Sequence, residues 1–358
     1  MKKFDVIVIG AGTSGLTARR EIAKKTSNYL VVDDSSLGTT CARVGCMPSK
    51  VLIQAANDFH RRHKFKDFGL SGSENLSLDG KQVMKHVRSL RDRFVRGVMQ
   101  GMEEWRETHL LRGRATFVDA HTVEVNGETY SADKFILAPG SRPLIPGPMM
   151  DFRDHILTTD EIFEIEDLPE SVAVIGLGVI GVELGQALSR LGVQVTGVTV
   201  GRSIGGISDP EIQDYIAKTF EKEFPVYYEG AQLKEVLSNG KIAVEASGKV
   251  FEVDKVVLSV GRRSNVDRLG LDKAGVSLNE RGLPEFDKNT MLVTSAPQMF
   301  LPGDVNADRP ILHEAADEGV IAGHNIMAQE LGCFKRRTPI GVTFSDPNIA
   351  FVGHLYIS

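Results

Sequence analysis

An α/β fold in which one strand–glycine loop–helix–strand unit occurs twice is what this sequence of 358 residues predicts. Two stretches carry the prediction. FDVIVI (4–9) runs straight into GAGTSG (Gly10 to Gly15), and SVAVI (171–175) runs straight into GLGVIG (Gly176 to Gly181). A buried parallel strand, a GxGxxG turn and a helix in that order define a Rossmann-like dinucleotide-binding unit. The length and the 42% hydrophobic content leave room for two or three domains with proper cores.

In the first unit LTARREIAKK supplies the helix and YLVVDD the second strand. The first glycine permits the tight turn and the second lets the backbone approach a pyrophosphate. The third allows close helix–strand packing, while the helix N-terminus faces the phosphates. Gly10, Gly12 and Gly15 take these places. Asp33 falls about 20 residues on, where a carboxylate holds ribose hydroxyls. Gly176, Gly178 and Gly181 repeat the pattern, but the residue equivalent to Asp33 is Thr199. Two such sites in one chain imply electrons passing from one bound dinucleotide to the other.

Between the units, CARVGC (Cys41 to Cys46) leads through Met47, Pro48, Ser49 and Lys50 into VLIQAANDFH, a run of helix formers with proline in its first turn. Thiols at a helix N-terminus feel the positive end of the dipole, which favours thiolate. The pair reads as redox-active rather than as two unrelated buried cysteines. A zinc site is disfavoured because Cys333 is the one remaining cysteine. The basic run HRRHKFK (His60 to Lys66) reads as a solvated helix face. Apolar residues at Val83, Val87, Leu90, Phe94, Val98, Met102 and Trp105 predict an amphipathic helix over 81–105. ATFVDA, TVEVNG and KFILA then read as short strands, ending at PGSRP (Pro139 to Pro143), a crossing point between domains.

After the second unit, KVVLSVGRRSN (Lys255 to Asn265) and QMFLPGDV (Gln298 to Val305) read as strand, glycine and polar loop. The second places Asp304 where it either grips a sugar or ribityl hydroxyl or caps the following helix, HEAADEGVIAGHNIMAQEL. GVTFSDPNIAFVG (341–353) reads as one strand whose partners are missing, with Phe344, Ile349 and Phe351 exposed. A net charge of −5 gives no general nucleic-acid footprint. The apolar N-terminus is short and broken by glycines, so neither a signal peptide nor a membrane span is expected, and no metal site is. The cytoplasm is the expected compartment, where a cycling thiol pair needs an electron source.

With these motifs in place the chain resembles the flavin-dependent disulfide reductases (class I pyridine nucleotide-disulfide oxidoreductases), and within them the dihydrolipoamide dehydrogenases. The resemblance runs from about residue 4 to residue 353, and its most specific element is GTTCARVGCMPSK, Gly38 to Lys50. It implies FAD on the first GxGxxG, with Asp33 at the adenosine ribose and Asp304 near the ribityl chain, and NAD(P) on the second. Thr40, Gly140 and Gly261 join the implied cofactor contacts. Lys50 and Glu183, the latter in GVELG, are implied to pair beside the flavin's reactive nitrogen. The implied relay has a dithiol attack the Cys41–Cys46 disulfide, with Cys41 forming the mixed disulfide and Cys46 lying against the flavin.

The implied domains are 1–148 and 266–338 for FAD, 149–265 for NAD(P) inserted between them, and 339–358 as the start of a dimerisation domain. The family's His-Pro-x-x-x-x-Glu stretch, whose histidine takes the substrate proton, is not present. His313 and His354 stand nearest by position and read as structural. The resemblance implies a homodimer for full-length members and leaves this chain's oligomeric state open. The implied substrate is a dithiol, either a small molecule such as dihydrolipoamide or a lipoyl domain. Glutathione, mercuric ion, transhydrogenation and a flavoprotein with only diaphorase activity are the alternatives. Thr199 departs from the acid expected for NAD, and Arg202 follows three residues later, which leans the second site toward NADPH.

Overall fold

The computed structural model describes residues 2–353. They form an α/β chain that divides into two compact units. One contains the residues up to Arg43, then Phe94–Arg142 and Arg262–Arg337. The other contains Val44–Arg93, Pro143–Gly261 and the residues from Thr338 on.

The first unit is built on strand Lys2–Ile9, which lies parallel between Tyr29–Asp33 and Glu128–Leu137. Val6, Ile7, Val8 and Ile9 are all buried, as a central parallel strand covered on both faces requires, so the sequence there is a continuous apolar run. Leu110–Arg112 extends the sheet at one edge, and Thr122–Val125 and Thr116–Asp119 extend it antiparallel at the other. One face packs Phe117, Phe135, Met299 and Leu301, and the opposite face packs Met102, Trp105, Ile136 and Phe300. Helices Thr13–Ile22 and Leu312–Ile326 lie together on that second side. Their approach is close because the facing residues are glycines: a Cβ at Gly319 would lie 2.4 Å from the Ser14 carbonyl oxygen.

The second unit repeats the plan with a five-stranded parallel sheet in the order Val226–Tyr227, Gln194–Val198, Ser171–Ile175, Lys255–Leu258, Ile156–Leu157. Helix Val179–Arg190 packs against helix Cys46–His60, with Leu52, Ala56, Met84 and Val87 joining Val182, Leu184 and Leu188 in one core. A three-stranded antiparallel sheet, 232–253, covers a second core around Ile242, Val244 and Val256.

Four expectations change. The helix predicted over 81–105 spans Gly80–Gln100; residues 101–105 turn, which still buries Met102 and Trp105 but leaves Phe94 38% exposed. The basic run is solvated as expected but does not lie on one helix: His60 ends helix Cys46–His60, and Arg61–Phe68 is a 3-10 stretch with no buried residue. Asp304 does not cap the following helix, which begins at Leu312, but opens the short 3-10 turn Asp304–Asn306.

The fourth change concerns 341–353, which is not one unpartnered strand. Ile340–Thr343 and Ile349–Val352 pair antiparallel with each other. Ile349 is buried in the core of the second unit, and Thr343 donates to the Gly205 carbonyl oxygen at 3.1 Å. Helix Val179–Arg190 presents Glu183, Gln186 and Arg190, which share one face at this spacing, and all three bind the hairpin. Glu183 accepts from the Phe344 N–H at 2.9 Å, Gln186 from the Asp346 N–H at 2.8 Å, and Arg190 pairs with the Asp346 carboxylate at 3.0 Å. Arg190 is itself held by Glu223 and by the Asn57 side-chain oxygen. Burial of Ile349 and these polar contacts satisfy a segment that its sequence alone leaves bare; Phe344 stays 45% exposed.

Truncating a buried isoleucine removes its transfer free energy and leaves a cavity. Ile349→Ala is therefore expected to lower unfolding stability by about 2–4 kcal/mol, read by urea denaturation. A change within the error of the measurement would show that the hairpin is not part of the core.

Candidate active site

Each unit carries its own constellation. In the first, the carbonyl end of strand Lys2–Ile9 meets helix Thr13–Ile22 through the glycine turn. Gly10 has φ +105°, and a Cβ there would lie 2.1 Å from the Ala138 carbonyl oxygen; at Gly15 it would lie 2.0 Å from the Gly10 carbonyl oxygen. Gly12, by contrast, faces open space, and the helix begins on it with no side-chain cap. Its first amides are left for an acceptor from outside, which is the chemistry of a phosphate cradle.

Asp33 is buried at the end of the second strand. Its Oδ2 accepts from the Ala11 N–H at 2.6 Å, while Oδ1 takes the Ser35 N–H at 2.8 Å and Arg112 at 3.1 Å. The carboxylate thus braces the glycine turn. A carboxylate has about four lone-pair sites, so Oδ2 keeps capacity for a hydroxyl. Asp304 accepts from Ser141 Oγ at 3.2 Å, and Ser141 is held by Arg262. Gly140 lies next to Ser141 with φ +67°. Thr40 opens the short helix Thr40–Val44 that contains Cys41. Thr39 before it has φ +64°, a left-handed conformation that disfavours a β-branched residue.

In the second unit Gly176, Gly178 and Gly181 reproduce the first turn. Gly176 has φ +91°, a Cβ at Gly181 would lie 1.8 Å from the Gly176 carbonyl oxygen, and Gly178 again faces open space at an uncapped helix start. The donor sets fit two dinucleotides. Thr199 is buried just past the end of its strand, with its backbone bonded to Tyr227 and Gly230. Arg202 is largely exposed and paired with Asp214. Beside it, burial and a bond to Glu221 push the Tyr228 hydroxyl up to about 12. Gly261 ends this segment with φ +121° and open space at its Cβ position.

Cys46 is the first residue of helix Cys46–His60, after a Gly45 whose backbone is not helical (φ −130°, ψ −119°). Both Cys41 and Cys46 are half-buried. One turn on, Lys50 Nζ lies 2.7 Å from Glu183 Oε2. Glu183 is buried, and its other oxygen takes the Phe344 N–H. The Phe344 ring also lies 4.3 Å from Lys50 Nζ, in cation–π range. Phe344 thus touches both members of the pair, a role its sequence position did not signal. His313 is exposed near the start of its helix, and His354 lies outside the described residues.

Two glycine turns of the dinucleotide-cradle type, one in each unit, and two cysteines five residues apart in the sequence are the features of a dinucleotide-dependent oxidoreductase. The profile of the pyridine nucleotide-disulphide oxidoreductase family matches residues 4–319, and the chain belongs to that family. It is 34% identical over 370 residues to dihydrolipoyl dehydrogenase of Thermus scotoductus, covering 99% of this chain and 77% of that protein. It is 33% identical to the Geobacillus stearothermophilus dihydrolipoyl dehydrogenase, of which it spans 75%. Mercuric reductase of Staphylococcus aureus is 31% identical, with 64% of its length covered. Among solved structures, the HOCl-induced flavoprotein disulfide reductase RclA of Escherichia coli superposes with a TM-score of 0.84 at 20% identity, over 99% of this chain and 78% of that one; this likeness concerns the fold. The chain is an FAD-dependent disulfide oxidoreductase whose cofactors are FAD and NAD(P).

A buried carboxylate that loses its cation is left with an uncompensated charge. A double-mutant cycle on Lys50→Met and Glu183→Gln is expected to show a coupling energy of about 1–3 kcal/mol, measured by urea denaturation. Additive losses would mean that the two groups do not interact in solution.

Proposed function

We propose that the chain passes two electrons between a dithiol, of the dihydrolipoamide class, and NAD(P), with Cys41 and Cys46 as the exchanging pair. The observation that carries this reading is Cys46 at the head of its helix with the Lys50–Glu183 pair one turn on. The 34% and 33% identical relatives named dihydrolipoyl dehydrogenase favour lipoamide among dithiols.

In the oxidised state Cys41 and Cys46 share a disulfide. One substrate thiolate attacks Cys41 Sγ, the S–S bond breaks, and Cys46 leaves as thiolate. The second substrate thiol then gives up its one proton and displaces Cys41, which leaves as thiolate while the cyclic disulfide is released. The pair now carries the two electrons, and the helix N-terminus at Cys46 stabilises the thiolate formed there. FAD, when bound on Gly10, Gly12, Gly15, Asp33 and Asp304, supplies the two-electron connection to the nicotinamide. Lys50 offers a cation whose charge and position Glu183 and Phe344 fix. In this reading the FAD part comprises 1–148 and 266–338, the NAD(P) part 149–265, and 339–358 the start of a dimerisation domain. Among the described residues no helix is long and apolar enough to cross a membrane.

For the nicotinamide, Thr199 removes the carboxylate that would repel a 2′-phosphate, and Arg202 is free to exchange its partner. An exposed ion pair such as Arg202–Asp214 is screened by water and holds its partners weakly, so a phosphate can displace Asp214.

Anaerobic NAD(P)H is expected to raise the thiol titre of the native protein by two, with both labels on the peptide containing Cys41 and Cys46. In Cys46→Ser no such rise should occur, and a rise of two there would sink the assignment. Rapid-mixing reduction of the flavin should be faster with NADPH than with NADH at low concentration. Arg202→Ala should remove that preference by about tenfold, the value of one charge-assisted bond; an unchanged preference would assign it elsewhere.

A further inference from the structure

Beneath the turn that carries Asp304, the first unit holds a buried charge cluster that the cofactor reading leaves unexplained. Glu318, on helix Leu312–Ile326, is fully buried. Its Oε2 accepts from the Gly303 N–H at 2.6 Å and from the Asn306 side-chain amide at 2.7 Å. These two donors flank the turn Asp304–Asn306 on either side of Asp304. Its Oε1 accepts from Arg336 at 2.6 Å, and the same guanidinium nitrogen reaches Glu314, one helical turn earlier, also at 2.6 Å. Arg309 binds the other Glu314 oxygen. Glu314 and Glu318 share a helix face at i and i+4, so one arginine bridges both.

A buried ion network is a poor source of stability, since apolar residues of the same volume do as well or better. This one spends its hydrogen bonds on backbone placement. Gly303 has φ +90° and sits so near the first glycine turn that a Cβ on it would lie 2.5 Å from Ser14 Oγ. The turn is thereby pinned on two sides: by contact with the start of helix Thr13–Ile22 and by the Glu318 carboxylate below. Asn306 is also buried and passes the restraint on, accepting from the Asp308 N–H at 2.9 Å. Asp304 is the half-buried member of the turn, and its carboxylate accepts from Ser141 Oγ above it.

We propose that Glu318, charge-balanced by Arg336, is the positioning residue that sets the Asp304 turn for flavin binding. The inference rests on the reading of Asp304 as a carboxylate on the flavin side. It assigns Glu318 no contact with the cofactor; its effect runs through Gly303 and Asn306. Glutamine at 318 presents an amide N–H₂ either to those two donors or to Arg336, so one side of the network loses its acceptor.

The test is a double-mutant cycle on FAD affinity, read by quenching of flavin fluorescence on titrating the apoprotein. Glu318→Gln should weaken FAD binding about tenfold, the value of one charge-assisted hydrogen bond, and by much less when Asp304 is already alanine. Equal losses in both backgrounds would make Glu318 a general stabiliser and overturn the proposal. If Asp304→Ala weakens FAD while Glu318→Gln does not, the reading of Asp304 stands and the role of Glu318 falls. If Asp304→Ala leaves FAD affinity unchanged, both fall. Should Glu318→Gln not fold, Glu318→Asp is read in the same cycle, because it keeps the charge beside Arg336 and withdraws the carboxylate from Gly303 by one methylene.

Discussion

The absence of a side chain at two glycine pairs is the constraint on which both units depend. At Gly15 and Gly181 a single added carbon would stand 2.0 Å and 1.8 Å from the carbonyl oxygens of Gly10 and Gly176. Only that closeness lets a helix start directly over the end of a buried strand, with its first amides pointing outward beside Gly12 and Gly178. The same economy recurs where the helix of the first cradle meets helix Leu312–Ile326: Gly319 and Gly323 bring two backbones together, and that contact carries the later segment back to the first glycine turn.

Around these apolar frames, buried charge is used for placement. Glu183 in one unit and Glu318 in the other follow one logic. Each is a nearly inaccessible carboxylate with one oxygen on a cation and the other on a backbone N–H of a distant segment. Burial pushes the Glu318 carboxyl above its ordinary range, even against bonds from Gly303, Arg336 and Asn306. Burial acts the same way on Glu314, but there the bonds from Arg336 and Arg309 prevail and hold it below that range. Such groups are costly to bury without partners, so they fix the loops that supply those partners more tightly than apolar contacts would. The loops so fixed, at Phe344 and at Gly303–Asn306, are ones that local sequence leaves undetermined.

The hairpin 340–352 illustrates the point. Read along the chain, GVTFSDPNIAFVG offers an alternation of apolar and polar residues and no partner. In the structure its turn is bound by three side chains on one face of helix Val179–Arg190, and Ile349 completes a core formed by residues far away in the chain. Periodicity identifies an extended segment but carries no information about what covers it.

What the sequence by itself determined was whatever is encoded locally. The two strand–glycine–helix units, Asp33 at its offset, and Cys46 at the N-terminus of a helix all follow from spacing, residue propensity and the steric demands of glycine, which hold wherever the segment ends up. The family likewise follows from motif residues that are contiguous in the chain. The Lys50–Glu183 pair was expected only through the family resemblance, and the structure contains it. Tertiary structure alone decided Phe344 against both and Glu318 under the Asp304 turn. It also decided where the amphipathic helix ends, because burial of Met102 and Trp105 is met by a turn after Gln100 and not by further helical residues. The physical reason is that a hydrogen bond or a packed face needs two surfaces, and a sequence pattern describes only one of them.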